Sequence, residues 1–166
     1  MDEVYRRRSC HKGFAQSRVV SEDDIRAILK AGMNAPSAEN SQPWEFLVLE
    51  DRGALVKLGN IHEWTNACAS ASHVVILLAE PDEGGIQDIN MGICAENIML
   101  EATHLGIGSL IMGIHPGDDQ AQETIKMMFA IPDSYTAYTM IALGYPAEAQ
   151  EPNNRWIESK VHRGQF

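Results

Sequence analysis

The sequence predicts one α/β layer structure with an appended C-terminal arm, and three observations predict it. The 166 residues fit one domain, residues 1–166, and leave no room for a second full one. A hydrophobic content of 45% is enough for one real core. Apolar spacing then runs in the order helix, strand, strand, helix, strand, helix, strand, and ends in a polar arm from Ala147 to Phe166 that cannot fold alone and must dock on something.

The first helix opens at Ser21, an N-cap followed by the acidic turn Glu22-Asp23-Asp24. Ile25, Ile28, Leu29 and Met33 hold helical spacing until Gly32 and Pro36 close it. Pro43 introduces a strand from Trp44 to Glu50. His73 to Ala79 is a second strand, continuously apolar and so expected to be buried on both faces. Ile86 to Leu105 reads as a long helix with Ile89, Ile93, Asn97 and Leu100 on one face. Small Gly92, Ala95 and Ala102 lie on another, where a second helix can approach closely. Gly106 and Gly108 end it and lead to a strand from Ser109 to His115. A short helix ending near Phe129 follows, its Met127-Met128-Phe129 run read as core, and a last strand runs from Ala137 to Leu143 before Gly144-Tyr145-Pro146.

Charge and composition exclude several function classes. The net charge of −10 repels polyanions and gives no nucleic-acid footprint. No stretch approaches the ~20 apolar residues of a membrane span, and the N-terminus lacks an apolar signal core, so the expectation is a cytoplasmic protein with no membrane partner. Cys10, Cys68 and Cys94 are widely separated and carry no metal-ligand spacing, which predicts neither a disulfide framework nor a zinc site. The histidines form no HxxxH or HExxH pattern, and no serine sits in a GxSxG elbow, so no metal ligand and no catalytic nucleophile is assigned.

Two constellations remain. Arg6-Arg7-Arg8-Ser9 with His11 and Lys12 is a basic and hydroxyl cluster in an acidic chain. Guanidinium groups bind phosphate bidentately, so the cluster suits a phosphate monoester; it equally suits a solvated basic terminus. The loop Ala35-Pro36-Ser37-Ala38-Glu39-Asn40-Ser41-Gln42-Pro43-Trp44 collects neutral hydrogen-bonding groups. These suit a flavin ring edge or ribityl chain, and equally an ordinary helix-to-strand turn. Asn97 reads as a satisfied core amide rather than a ligand contact.

Arg7-Arg8-Ser9, the Ala35-Pro36-Ser37-Ala38 loop with Asn40 and Gln42-Pro43-Trp44, the stretch from Asn97 through Leu105-Gly106-Ile107-Gly108-Ser109, and Ala142-Leu143-Gly144-Tyr145-Pro146 together resemble the nitroreductase family in order and spacing over nearly the whole chain. The resemblance implies an α+β fold with a mainly antiparallel central sheet flanked by helices, and a homodimer that exchanges its C-terminal arms, residues 147–166. It implies FMN at the subunit interface. Arg7, Arg8, Ser9 and Arg155 would hold the phosphate, with Pro36, Ser37, Asn40 and Gln42 supplied by the second subunit. Backbone around Met112 and Gly113 would lie against one ring face.

Two departures from the family pattern stand out. Cys10-His11-Lys12-Gly13 replaces an expected arginine or lysine, a role left to His11 or Lys12. The segment Asn60 to Ser72 holds no Lys or Arg for the flavin pyrimidine, which leaves Asn60, His62 and Asn66 as candidates. The implied activity is an NAD(P)H-linked flavin oxidoreductase that reduces nitroaromatic, quinone or similar electron-poor acceptors by a ping-pong scheme. The alternative is an FMN-binding or regulatory module without turnover.

Overall fold

The computed structural model describes residues 2–7, 10, 12–114, 119–148, 151 and 155–166. Its α-helices are α1 (Glu3–Arg6), α2 (Glu22–Met33), α3 (Arg52–Leu58), α4 (Ile86–His104) and α5 (Asp119–Phe129). Its strands are β1 (Glu45–Leu49), β2 (His73–Ala79), β3 (Gly108–Gly113) and β4 (Thr136–Gly144). Every strand pairing is antiparallel, in the order β1-β2-β4-β3, so the arrangement is α+β and the α/β reading from element order alone is corrected.

The period of two along the central strands divides the core between two faces of the sheet. Val74, Ile76 and Leu78 of β2 enter a cluster with Leu55 and Leu58 of α3, Cys68 and Ile125 of α5. Val75, Leu77 and Ala79 enter the opposite cluster with Ile25 and Ile28 of α2 and Cys94, Ala95 and Ile98 of α4. All of β2 is buried, as its unbroken apolar run requires. A register shift at Leu77/Leu78 places a bulge opposite, in β4. Gln122 of α5 answers it: its side-chain amide donates to Ala137 O and its Oε1 accepts from Ala137 N at 3.1 Å. The amide thus takes the place of a strand partner and fixes α5 against the sheet.

Helix α2 begins where Ser21 Oγ accepts from Asp24 N. Its close approach to α4 is made at Gly32, where an added Cβ would lie 2.8 Å from Ile98 Cγ1. Ala95 and Ala102 face inward as well, whereas Gly92 has nothing within 4 Å. The Ile89 and Ile93 face of α4 is the exposed one, at 58% and 36%, with Ile86 at 41%. Asn97 Nδ2 donates to Ala31 O, the satisfied amide role expected of it. Met128 and Phe129 pack against the core, but Met127 points outward at 79% exposure, because the end of α5 buries one face only. Among the described residues no helix is long and apolar enough to cross a membrane.

Two further elements have weak periodic signals. Asp51 caps α3 by accepting from Ala54 N, and a 3-10 segment, Glu63–Ser70, follows within a few residues. Arg52 ties the two together: Nη1 donates to Ala71 O at 3.1 Å, and Nη2 donates to Ala69 O. Gly59 allows the contact, since a Cβ there would meet Ala69 Cβ at 2.9 Å.

Candidate functional site

The N-terminal segment lies along α4 and the outer side of β3. Cys10 N donates to Ser109 O at 3.0 Å, which sets residue 10 beside the edge strand. Two contacts fix the N-terminal segment to α4: a Glu3 Oε1–His104 Nδ1 hydrogen bond and an Arg7 Nε–Glu96 Oε1 ion pair, each at 3.1 Å. A hydrogen bond from its own backbone, and then that of His104, hold the Glu3 carboxyl down at about 2. Arg7 is therefore a positioned guanidinium on the side of α4. Arg8, Ser9 and His11 lie outside the described residues. Lys12 is turned to Glu148, with Nζ 2.8 Å from Oε2; that hydrogen bond raises its pKa and commits its charge to the start of the arm.

Met112 and Gly113 end β3. The Met112 side chain enters the core, where its Sδ lies 3.7 Å from Cys68 Sγ, and its carbonyl accepts from Thr139 Oγ1 at 2.9 Å. Gly113 is exposed, and a Cβ there would meet nothing within 4 Å. These two residues form one wall of a cavity of about 880 Å3, bounded by the end of α3, the Glu63–Ser70 segment and α5. The wall is a bare strand end with open space above it, which a flat ligand can approach closely.

Among residues proposed from sequence for the flavin pyrimidine, Asn60 and His62 line this cavity and Asn66 does not. Asn60 Nδ2 is used on Val56 O. His62 Nδ1 accepts from Trp64 N, which places the ring proton of the neutral imidazole on Nε2. The sequence reading missed Lys57, Trp64 and Thr65, which share the same wall. The signal for Lys57 was the short pattern Asp51, Leu55, Leu58, Gly59: a cap, two apolar positions three apart, and a helix stop.

The Pro36–Gln42 loop stands elsewhere, at the entry to β1, the opposite edge of the sheet from β3. Three strand spacings, roughly 14 Å, separate the two edges. Asn90 of α4, 1% exposed, holds the loop by accepting from Ala38 N. Within it, Gln42 N donates to Ser37 Oγ at 2.9 Å and Gln42 Nε2 to Asn40 Oδ1 at 3.1 Å. Glu39, Asn40 and Gln42 all have positive φ, three of only four such non-glycine residues among those described. Left-handed Glu and Gln cost about 1–3 kcal/mol each and concentrate at ligand sites. The Asn40 Nδ2 donors and the Gln42 Oε1 acceptor have no further partner among the described residues, as a site for a neutral polar ligand requires.

Arg155 belongs to neither group. It is exposed in the arm and has no hydrogen-bond or ion-pair partner among the described residues. One chain thus presents four separate pieces: Arg7 on the side of α4, the Met112–Gly113 edge with its cavity, the strained loop by β1, and Arg155 on the arm. Burial pushes the Cys68 and Cys94 thiols up to about 12, so neither offers a thiolate nucleophile near neutral pH.

Comparison with known proteins extends these observations. The model of the nitroreductase family matches this chain over residues 4–75 and 60–145. An Archaeoglobus fulgidus protein named "Putative NADH dehydrogenase/NAD(P)H nitroreductase" is 32% identical over 169 residues, covering 96% of this chain and 94% of its own length. Two solved structures superpose closely. The Clostridium acetobutylicum "Putative NADH Oxidase" has a TM-score of 0.92 and 31% identity, covering 99% of this chain and all of that one. The "FMN-dependent Nitroreductase" of Clostridium difficile R20291 has a TM-score of 0.90 and 26% identity, covering 99% of this chain and 98% of its own.

Proposed function

Because this chain belongs to the nitroreductase family, we propose that it is an FMN-dependent oxidoreductase, using NADH or NADPH to reduce nitroaromatic, quinone or similar electron-poor acceptors in a ping-pong cycle. The observation that carries the reading is the cavity against Met112 and Gly113, an open strand end faced by neutral and basic groups. The name of the Clostridium difficile relative, an FMN-dependent nitroreductase, supports the choice of cofactor.

The residues present fit FMN. Arg7 would hold the phosphate, joined by Arg8, Ser9 and the arm's Arg155, because guanidinium groups bind phosphate oxygens bidentately. Pro36, Ser37, Asn40 and Gln42 would meet the ring edge and ribityl chain, whose imide and hydroxyls match their unspent donors and acceptors. Backbone at Met112 and Gly113 would lie along a ring face. When bound, FMN supplies the redox chemistry, accepting hydride from a nicotinamide and passing electrons to the acceptor.

Assembly of these pieces calls for two copies. Ile86, Ile89 and Ile93 form an exposed apolar stripe on α4, and Trp156, Ile157 and Val161 of the arm are exposed at 66%, 48% and 40%. An isolated chain would leave these apolar groups in water. In a homodimer with exchanged arms, the loop of one copy would complete the β3 site of the other.

The test is an absorbance spectrum of the purified protein with an FMN titration, followed by NADH and NADPH oxidation with a nitroaromatic or quinone present. A yellow protein that oxidises either donor is expected. A colourless protein that takes up no FMN would overturn the proposal, and bound FMN without donor oxidation would reduce it to a flavin-binding module. Sedimentation equilibrium is expected to give a dimer that Ile89→Asp dissociates; a monomeric wild type would overturn the shared-site assembly.

A further inference from the structure

We propose that the cavity beside Met112 and Gly113 selects an acceptor with a planar apolar body and a carboxylate, and that Lys57 is the group that binds the carboxylate. This rests on the redox reading above and names its substrate class.

Among the described residues, no acidic side chain lines the cavity, although the chain has 23 of them. Among the described residues its only titratable linings are Lys57 and His62. The body of the wall is apolar, with Leu110, Met112, Ile125 and Met140. Lys57 lies in the last turn of α3, and its side chain has no ion pair or hydrogen bond among the described residues, unlike that of Lys12. His62 adds a second donor, because its Nδ1 is engaged by Trp64 N. An ammonium and an N–H thus stand at an apolar chamber that no acidic side chain lines among the described residues.

Physical chemistry then selects the ligand. A cationic or strongly polyanionic molecule gains little here: the first meets Lys57, and the second is repelled by a net charge of −10. With the flavin along the Met112–Gly113 wall, a monocarboxylate on an aromatic ring packs its body against the remaining apolar lining, Ile61, Trp64 and Met128, and places one charge at Lys57. A hydrogen bond to a charged group contributes about 1.5–3 kcal/mol, or roughly 10- to 100-fold in affinity. Arg52 and Gly59 fix this wall, since they clamp α3 to the segment that carries His62 and Trp64.

The experiment compares 4-nitrobenzoate with its neutral methyl ester on the FMN-loaded protein. Dissociation constants come from flavin absorbance without an electron donor, and kcat/KM from turnover with one. The wild type is expected to favour the carboxylate about tenfold or more. Lys57→Met should bring the ratio close to one, and Lys57→Arg should retain most of it. No preference in the wild type, or a preference that survives Lys57→Met, overturns the proposal. A Lys57→Met protein with an altered flavin potential and an intact carboxylate preference also overturns it, because the lysine then serves the cofactor. Calorimetric titration of the same two compounds against protein without FMN reads the cavity directly. A chain that takes no FMN would defeat the redox reading, while this titration still supports Lys57 by a preference or overturns it by none.

Discussion

Gln122 and Ala137 are joined by a reciprocal pair of hydrogen bonds, side-chain amide to backbone, at the point where β4 bulges. The pair fixes α5, which lines the cavity with Thr124, Ile125 and Met128. Gln122→Ala would leave the buried N–H and C=O of Ala137 unpartnered, and one such orphan costs about 1–3 kcal/mol. A clear fall in the urea midpoint is expected, with weaker binding in the cavity. An unchanged midpoint would show that water or a shifted backbone replaces the amide.

Gly32→Ala tests the packing of α2 on α4. In an exposed helix this change stabilises by about 1 kcal/mol, but here the methyl would meet Ile98 Cγ1 at 2.8 Å and Cys94 Sγ at 3.3 Å. Overpacking of about 1–3 kcal/mol should win. Adding Ile98→Val is expected to recover part of the loss. A stabilised single variant would mean that the helices separate freely.

Cys68 and Cys94 should be silent in the native protein. Both are fully buried, and desolvation pushes each thiol up to about 12, so almost no thiolate exists at pH 8. A thiol-reactive disulfide reagent at that pH is expected to leave both unlabelled until guanidinium is added. Immediate labelling of either residue, read by peptide mass spectrometry, would contradict their burial.

Arg7→Ala separates stability from cofactor binding. The Arg7–Glu96 pair is part-exposed, with side chains at 30% and 39%, so its loss should cost no more than about 1 kcal/mol of stability. Loss of a charge-assisted bond to phosphate should weaken FMN binding roughly 10- to 100-fold. Flavin fluorescence titration reads the affinity and urea unfolding the stability. Equal FMN affinity in variant and wild type would remove Arg7 from the phosphate set.

Much of the fold is legible along the chain. Ser21 and its acidic turn, the unbroken run His73 to Ala79 and the long helix to Leu105 each carry a local signal, and each element forms where that signal lies. The short α3 and the Glu63–Ser70 segment escape notice. Seven residues hold too little periodicity, and a 3-10 segment has none at 3.6. The orientation of α4 is also hidden. Apolar residues surround it, so Ile93 and Ile98 look alike in sequence, yet one is 36% exposed and the other fully buried.

By itself the sequence determined the identity of the longer elements, the two-faced core and the groups suited to a phosphate and a neutral ring edge, because capping, alternation and donor chemistry are properties of neighbouring residues. Only the tertiary structure decided that Lys57 and His62 share a cavity with Met112 and Gly113, and that this β3 edge lies on the opposite side of the sheet from the Pro36–Gln42 loop at β1. Those placements follow from the strand order β1-β2-β4-β3 and from how α3 and α5 pack on it. They are long-range outcomes of burial that no local spacing encodes.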